Sequence, residues 1–398
     1  MKNLKNYKIE SKRVLFRADL NVPLVDGVIT DNSRILAIQS SIKKLISNKN
    51  KIFLISHFGR PKGEIINKYS LSFILPSLKK IFNLDEIYFL KNLDQVSVKR
   101  ITEDMQDGDL CLVENIRFLK EEENIDLNFA KKICNFFDVY VNDAFSASHR
   151  NHTSIIGFPK FLPAVAGNQL VKEIDNINLF LVNLKKPNMA IVGGSKISTK
   201  IQLLNNLIEK FSAIAIGGAM ANTFLLANKN TVGNSLVEEN LTQEAINIQL
   251  KAKKFNCKLI LPIDALCGKN IHDTNPVYRK INKILNDDMI LDIGEVTTQL
   301  IKAEIINSKM VLWNGPVGAF EFKPYDKATS AIAEIIKSNA KKLNIYTLAG
   351  GGDTISAIKN IKAEDGFNYM SNAGGAFLEW FEGKESPGVV ALRKNNFP

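Results

Sequence analysis

The chain has 398 residues, of which 45% are hydrophobic and 23% are charged. This composition excludes fibrous and intrinsically disordered proteins, and the length exceeds what one ordinary hydrophobic core serves, so we expect two domains. The formal net charge of +11 contains no run of more than two consecutive basic residues. A dispersed excess of this kind fits a solvated lysine-rich surface better than a stripe that binds nucleic acid.

No targeting, membrane or metal signal stands out. The segment 1–10 is polar and charged, unlike a secretory signal. The longest uncharged stretch, residues 211–227, is short for a membrane helix and contains two glycines. The four cysteines form no C-x-x-C pair, which argues against a zinc site or a disulfide framework. We therefore expect a cytoplasmic protein without a membrane segment.

Short apolar, β-branched runs alternate with amphipathic stretches along the whole chain. The alternation is typical of βαβ units and predicts an α/β fold with two Rossmann-like, three-layer α/β/α domains built on parallel sheets. Predicted strands are 14–19, 51–56, 86–90, 110–113, 138–142, 190–192, 213–216, 259–262, 289–292, 310–313 and 346–348. Predicted helices are 34–45, 169–183, 198–209, 326–336 and 354–358. The helix 169–183 follows two prolines and is predicted to join the domains.

In the first half, basic side chains follow four predicted strands. The segments are Arg17–Pro23, Ser56–Pro61, Glu114–Phe118 and Asn142–His152. Open parallel sheets bind ligands at the carboxyl ends of their strands, so these segments would meet at one edge. Each arginine alone fits a structural ion pair equally well. Together they predict a pocket for a small molecule with several negative charges.

In the second half, glycine-rich turns follow strands or open helices. They are 192–200 (VGGSKISTK), 313–321 (WNGPVGAFE), 349–354 (AGGGDT) and 371–376 (SNAGGA). Exposed backbone N–H groups at helix starts favour phosphate, although the turn 313–321 alone could be an ordinary tight turn. Asp353 fits either a Mg²⁺ ligand or a plain helix cap. Neither G-x-x-x-x-G-K-[ST] nor G-x-G-x-x-G is present, which weakens an NAD-linked oxidoreductase.

Taken in order, these motifs closely resemble the phosphoglycerate kinase family, with SHFGRP, WNGPVGAFE and AGGGDT as the most specific matches. The resemblance spans residues 17–388. It implies reversible, Mg²⁺-dependent phosphoryl transfer between 1,3-bisphosphoglycerate and ADP, giving 3-phosphoglycerate and ATP, in glycolysis and gluconeogenesis. It also implies a monomer that closes by hinge bending and transfers the group directly in line.

The resemblance further implies roles for individual residues. The 3-phosphoglycerate site would contain Asp19, Asn21, Arg34, His57, Phe58, Gly59, Arg60, Arg117, His149 and Arg150. The nucleotide site would contain Gly193, Gly194, Lys196, Lys200, Glu321, Gly351, Gly352, Asp353 and Thr354, with Asp353 as the Mg²⁺ ligand. Arg34, Lys200 and the backbone of Gly374 and Gly375 would stabilise the transferring phosphoryl group.

The implied domain bounds are 1–168 for 3-phosphoglycerate, 169–186 for the hinge helix and 187–376 for the nucleotide, with a tail, 377–398, returning to the first domain. Three positions depart from the family pattern: Asn168-Gln169 replaces an apolar pair, Glu295 stands where proline is common, and Ala373 replaces the first of three glycines. Ala373 would keep its N–H available only with a negative φ.

An alternative interpretation is a catalytically silent relative that uses its basic surface to bind nucleic acid or another ligand. Lys200, Asp353 and Arg34 are all present, which favours the enzyme.

Overall fold

Buried apolar runs form two parallel six-stranded sheets, as seen in a computed structural model that describes residues 1–397. The chain divides into two units: Met1–Asp175 together with a segment starting at Glu385, and Asn176–Lys384. The prediction of an α/β fold with two parallel sheets is confirmed. Within residues 1–397, no helix combines the length and apolarity needed to cross a bilayer.

The sheet of the first unit has the order β5-β6-β4-β1-β7-β8, and all its pairs are parallel. Between their end residues, its central strands are apolar, as expected for parallel strands that helices cover on both faces. The elements are β1 (Arg13–Arg17), β2 (Leu24–Val25), β3 (Val28–Ile29), α1 (Ser33–Ala37), α2 (Gln39–Ser47), β4 (Lys51–Ile55), α3 (Leu75–Phe82), β5 (Tyr88–Leu90), α4 (Gln95–Asp104), β6 (Leu110–Val113), α5 (Lys120–Glu123), α6 (Leu127–Cys134), β7 (Val139–Asn142), β8 (Ala164–Ala166) and α7 (Asn168–Val182), the last continuing into the second unit after Asp175.

The second unit contains a parallel sheet of order β11-β10-β9-β15-β16-β17. The order in which successive strands are added reverses between β9 and β15, and open α/β sheets form their ligand crevice at such a point. The elements are β9 (Asn188–Val192), α8 (Ile201–Ile208), β10 (Ala213–Ile216), α9 (Met220–Ala227), α10 (Thr242–Lys254), β11 (Lys258–Ile260), β12 (Asp264–Gly268), β13 (Val277–Lys280), β14 (Met289–Ile293), α11 (Glu295–Asn307), β15 (Met310–Asn314), α12 (Lys327–Asn339), β16 (Tyr346–Gly350), α13 (Gly352–Asn360), β17 (Tyr369–Ser371), α14 (Gly375–Phe381) and α15 (Pro387–Arg393), the last belonging to the first unit.

Two local predictions differ from the structure. Strand 289–292 forms as β14, but it joins a separate antiparallel sheet, β13-β12-β14, because β12 lies beside it in register Ala265↔Ile293. A short apolar run does not specify its partner strand or its direction. The predicted helix 34–45 is split into α1 and α2 at Ile38.

The carboxyl-terminal segment is shared between the units. In α14, Trp380 Nε1 donates to Asn178 Oδ1 at 3.0 Å, and both residues belong to the second unit. Beyond it, Gly388 N donates to Ser148 O at 2.8 Å, and Asn395 Nδ2 donates to Pro159 O at 2.7 Å in the first unit. The return to the first unit therefore begins at Glu385 rather than at residue 377.

A buried carboxylate holds the start of α7. Asp143 Oδ2 accepts from Ser41 Oγ at 2.6 Å and Oδ1 accepts from Leu170 N at 2.8 Å, while Ser41 Oγ also accepts from Asn168 N at 2.9 Å. Burial raises the pKa of Asp143 to about 6, against the lowering effect of these hydrogen bonds. The carboxylate thus ties α2, β7 and α7 together at the cost of a buried charge.

We predict that Asp143→Asn changes the pH dependence of stability. Since the folded pKa of about 6 exceeds the unfolded value of about 3.9, the folded state binds more protons between these values, and stability falls as pH rises. In the variant, that loss of about 3 kcal/mol should vanish. Urea unfolding at several pH values measures how the free energy of unfolding depends on pH. In the control Asp138→Asn, which removes a carboxyl whose folded pKa is lowered, this pH dependence should change in the opposite sense. Equal slopes in wild type and Asp143→Asn would refute the assignment.

Candidate functional site

Four basic side chains gather at the carboxyl edge of the first sheet. Arg17 ends β1, His57 follows β4, Arg117 follows β6 and Arg150 follows β7, and these four strands are neighbours in the sheet. The charges of Arg17, Arg117 and Arg150 each act on His57 to lower its pKa. The edge is therefore one connected basic pocket and not a set of separate surface pairs.

Asp19 is a carboxylate that braces this pocket. It accepts hydrogen bonds from Arg34 Nη1 and Ser146 Oγ, and from Asn21 N at 3.0 Å. Burial raises the pKa of Asp19, but the positive charge of Arg34 and these hydrogen bonds outweigh it and hold the pKa well below its usual range. Asp19 therefore stays ionised and fixes Arg34 of α1 beside the basic edge.

The loop after β4 is held by amide side chains. Asn115 Nδ2 donates to Phe58 O at 2.7 Å and to Tyr69 O at 3.0 Å, and Asn115 Oδ1 accepts from Phe58 N at 3.2 Å. Gly59 N donates to Asn21 Oδ1 at 3.0 Å. Gly59 has φ +61, and a Cβ there would lie 2.4 Å from the Tyr69 ring. No other residue fits this turn without displacing Tyr69.

Arg117 is buried with too few partners. It is 3% exposed, and its Nη1 donates to Gly59 O at 2.6 Å. Its Nε and Nη2 have no hydrogen-bond partner, and the carboxylate oxygen of Glu123 lies 3.7 Å from Nε. Burial and the charges of Arg150 and Arg17 lower the pKa of Arg117 to about 10. A buried cation with free donors is the arrangement expected of an anion site.

The other predicted residues of this half lie around the same edge. His149 Nδ1 is buried without a hydrogen-bond partner, and burial together with Arg150 lowers its pKa. Burial, then Arg60 and Arg17, lower the pKa of the half-buried Arg150. Arg60 is exposed. The arginines thus repel one another more than nearby acids compensate them.

In the second unit, two glycine turns meet at the reversal point of the sheet. Gly193 directly follows β9, and a Cβ there would lie 1.9 Å from Pro316 O; a Cβ on Gly315 would lie 2.1 Å from Gly193 O. A Cβ on Gly218 would lie 2.6 Å from Gly194 O. Glycine is needed at all three positions because a Cβ atom would overlap the backbone of the facing turn. Without side chains, these turns present a backbone surface that a ligand can approach closely.

A hydrogen-bonded chain links Lys200 to the turn before α13. Lys200 Nζ donates to Asn314 Oδ1, and Asn314 Nδ2 donates to Gly350 O at 2.6 Å. Thr354 Oγ1 accepts from Gly315 N at 2.7 Å. Burial lowers the pKa of Lys200 to about 8, although Glu382 and Asp353 act in the opposite direction. Lys200, the cap of α8, therefore stands beside the strand ends of β15 and β16.

Asp353 lies in the first turn of α13 and is exposed, next to Gly351 at φ +100. A Cβ on Gly352 would meet no atom within 4 Å, so the space in front of this turn is open. Within residues 1–397, no group of three or more acids, histidines or cysteines could hold a metal by itself. One carboxylate in open space fits Mg²⁺, which usually takes most of its ligands from phosphate and water.

The remaining predicted residues are more loosely placed. Lys196 and Glu321 are exposed, and no hydrogen bond joins either to the chain from Lys200 to Thr354. Gly374, at φ +53, precedes α14, which begins at Gly375. Ala373 has no positive φ, and its N–H donates to Ser371 Oγ at 3.2 Å. The substitution at residue 373 is therefore unstrained, but its N–H is already engaged.

Comparison with known proteins identifies the family. Residues 4–384 match the profile of the family described as phosphoglycerate kinase. The chain is 43% identical over 394 residues to the phosphoglycerate kinase of Brucella melitensis, covering 99% of each chain. The chain belongs to the phosphoglycerate kinase family. The relative from Agrobacterium fabrum is 43% identical over 386 residues, covering 96% of each. The solved phosphoglycerate kinase of Coxiella burnetii has a TM-score of 0.85 at 33% identity, covering 99% of each.

Within this family framework, the sequence assigned roles to charged residues, to glycines and to Asn21, Phe58 and Thr354. It assigned none to Asn115 or Asn314. Asn115 holds the loop after β4, and Asn314 accepts from Lys200 and donates to Gly350 O, but each had been noted only as part of a motif. Arg17 was noted in its motif and given no role. A polar side chain placed directly at the end of a buried strand was the available signal.

We predict that Arg117→Met removes anion binding and stabilises the fold. Since two donors of this buried cation are unpaired, its removal should raise the free energy of unfolding by about 1 kcal/mol, while affinity for 3-phosphoglycerate falls at least about tenfold. Urea unfolding and calorimetric titration measure the two effects. Arg13→Met is the matched control: Arg13 is paired with Asp138, so its loss should destabilise and leave affinity unchanged. Loss of stability in Arg117→Met would show that Arg117 is structural.

Proposed function

We propose that this protein transfers a phosphoryl group reversibly between 1,3-bisphosphoglycerate and ADP, giving 3-phosphoglycerate and ATP, in glycolysis and gluconeogenesis. The supporting observation is 43% identity over 394 residues with a phosphoglycerate kinase, with the basic pocket and the glycine turns both in place. The proposed enzyme is a cytoplasmic monomer that binds no nucleic acid. A species of 44.4 kDa in sedimentation would support the monomer, and a dimer would oppose it.

The first unit binds the phosphoglycerate. Arg60, Arg117 and Arg150 supply charge to the phosphate, with His57 and His149 as neutral donors beside them, since their pKa values are lowered by burial. The remaining contacts come from Asp19 and Asn21, which meet the hydroxyl, and from the backbone of Phe58 and Gly59. Arg34, fixed by Asp19, then lies nearest the carboxylate that receives the phosphoryl group.

The second unit binds the nucleotide. Backbone groups of Gly193, Gly194, Gly351 and Gly352 lie against the phosphates, Thr354 holds the turn, Lys196 adds mobile charge and Glu321 meets the sugar. Asp353 would hold Mg²⁺, which supplies charge neutralisation on the phosphates when bound. Lys200 is directed by Asn314 toward the same phosphates.

The chemistry needs no general base. The accepting carboxylate is already ionised at neutral pH, so catalysis consists of positioning two anions and stabilising the charge of the in-line transition state. Arg34, Lys200 and the backbone N–H groups of Gly374 and Gly375 supply that stabilisation. Because the substrates bind different units, direct transfer requires the units to close, which also excludes water from the acyl phosphate.

The second candidate, a silent basic binding protein, is favoured by the net charge of +11. The two candidates differ in what displaces the ligand. Salt-sensitive binding to random DNA that neither nucleotide nor 3-phosphoglycerate displaces would favour the silent protein.

We predict ATP-dependent acyl phosphate formation from 3-phosphoglycerate in a coupled assay with Mg²⁺. Asp353→Asn should lose at least about 100-fold in kcat with the fold intact, because it removes the charged Mg²⁺ ligand. Asp365→Asn, an exposed carboxylate of the same unit, is the matched control and should keep normal turnover. No turnover by folded wild-type protein would overturn the function, and normal turnover of Asp353→Asn would remove its metal role.

We predict that nucleotide affinity weakens as pH rises from about 7 to 9, because the pKa of Lys200 is lowered to about 8 and its charge is lost in this range. Lys200→Arg should abolish the dependence, since guanidinium does not titrate there. Calorimetric titration with ADP measures both proteins. A pH-dependent loss that persists in Lys200→Arg would assign the titration to another group.

A further inference from the structure

Arg17 is the most deeply buried member of the basic pocket. It is 1% exposed, and each nitrogen of its guanidinium donates within the protein: Nε to Ser154 Oγ at 2.9 Å, Nη1 to Ala18 O, and Nη2 to His57 Nδ1 at 3.2 Å. Unlike Arg117, whose Nε and Nη2 are unpaired, Arg17 has every guanidinium nitrogen engaged within the protein and is not placed to contact a ligand. Its effect on the pocket must pass through the residues that it holds.

The contact with His57 fixes the position of the imidazole proton. A guanidinium has donors and no acceptor, so Nδ1 of His57 must supply a lone pair and the ring proton must lie on Nε2. No hydrogen bond within the described chain occupies Nε2. His57 is 6% exposed, and the charged groups that face it are Asp19, Arg17, Arg117 and Arg150. Burial, together with the three positive charges, outweighs the charge of Asp19, so the pKa of His57 is lowered and a second proton on the ring is disfavoured.

A buried acid balances Arg17 from the other side. Ser154 Oγ accepts from Arg17 and donates to Glu122 Oε1 at 2.7 Å, while Ser154 N donates to Glu122 Oε2 at 2.8 Å. Glu122 lies on α5 and is 1% exposed. His152 Nδ1 is 3.5 Å from Glu122 Oε1, and Tyr140 Oη donates to Ser154 O at 2.6 Å. The order Glu122, Ser154, Arg17, His57 is therefore a continuous buried chain that ends at the anion pocket.

We propose that Arg17 is a positioning residue: it holds His57 as the neutral tautomer with its proton on Nε2, ready to donate to an oxygen of the anionic substrate. Glu122, acting through Ser154, holds Arg17 in place. The tautomer follows from the contacts alone, and only the identity of the substrate rests on the proposed function. Two tasks are thereby separated: Arg117 and Arg150 attract the anion, and Arg17 orients His57 as a hydrogen-bond donor to it.

The direct test is long-range ¹H–¹⁵N correlation NMR of the free protein. The chain has only 4 histidines, so the spectrum of His57→Gln assigns the resonances of His57 by difference. We expect a protonated Nε2 and an unprotonated Nδ1 from about pH 5.5 to 8. An Nδ1–H tautomer, a mixture of tautomers or a ring that titrates in this range would overturn the proposal, whatever the protein catalyses.

The kinetic test compares Arg17→Met with Arg13→Met, which removes an arginine from the opposite end of the same strand β1. In Arg17→Met the ring can exchange tautomers and gain a proton, so KM for 3-phosphoglycerate should rise about 5- to 10-fold, with kcat within about twofold. The KM of Arg17→Met should also gain a pH dependence below about pH 7 that wild type and Arg13→Met lack. Titration of the substrate phosphate affects all three proteins equally and does not account for this difference. An unchanged KM and pH profile in Arg17→Met would overturn the proposal.

Ser154→Ala covers the case in which Arg17→Met does not fold, because it removes only the hydroxyl between Glu122 and Arg17. We expect a smaller rise in KM in the same direction and a mixed tautomer at His57. A fully retained tautomer would show that Glu122 does not hold Arg17. If wild-type protein lacks turnover but shows the expected tautomer, the proposed function fails and this inference stands.

Discussion

The constraint on which the first unit depends is the burial of positive charge with too little negative charge to balance it. Arg17, Arg117, Arg150 and His57 lie at four adjacent strand ends, and burial disfavours the charged form of each titrating member. The two acids that compensate, Asp19 and Glu122, are themselves buried and accept hydrogen bonds from neighbouring residues. The site therefore carries a net excess of positive charge, which suits an anion.

The fold makes this excess tolerable by fixing Arg17 and Arg117 through neutral groups. Asn115 links the loops around Phe58 and Arg117, and Ser154 stands between Arg17 and Glu122. These amides and hydroxyls satisfy donors without adding charge, so they preserve the attraction for an anion. Direct ion pairing would stabilise each arginine better, and it would also fill the pocket with the protein's own carboxylates.

Much of this architecture could be predicted from the sequence because it follows from local patterns. Buried β-branched runs marked the strands 51–55 and 110–113 closely, since parallel strands covered on both faces are apolar throughout. The pairing of strands is not local: β14 joins an antiparallel sheet through β12, which no periodicity in residues 289–292 reveals. The strands at 164–166 and 369–371 were missed because three residues carry too little pattern.

The residues of the candidate site likewise fall into those that local sequence reveals and those that it does not. Motif residues such as Arg117 and Lys200 could be named from the sequence, but their partners could not, because a hydrogen bond between Arg17 and Ser154 joins positions that are 137 residues apart. Whether the turn at Ala373 is strained depends on the backbone φ of that residue, which the residue type alone does not specify. Sequence reasoning therefore identified the groups that face a ligand better than the groups that hold them.

Under the proposed function, the two units bind their anions in different physical ways. The first uses buried side chains whose charges are fixed in direction by a hydrogen-bonded frame, an arrangement that suits one small molecule of defined shape. The second uses glycine backbone packed so closely that a Cβ on Gly193 would overlap Pro316, together with one lysine whose pKa lies near 8. Backbone donors and a flexible cation suit a flexible polyphosphate that must be exchanged after every turnover. Tight orientation is thus confined to the side where the accepting carboxylate must be aligned, and the phosphoryl carrier is held by contacts that its product can also use.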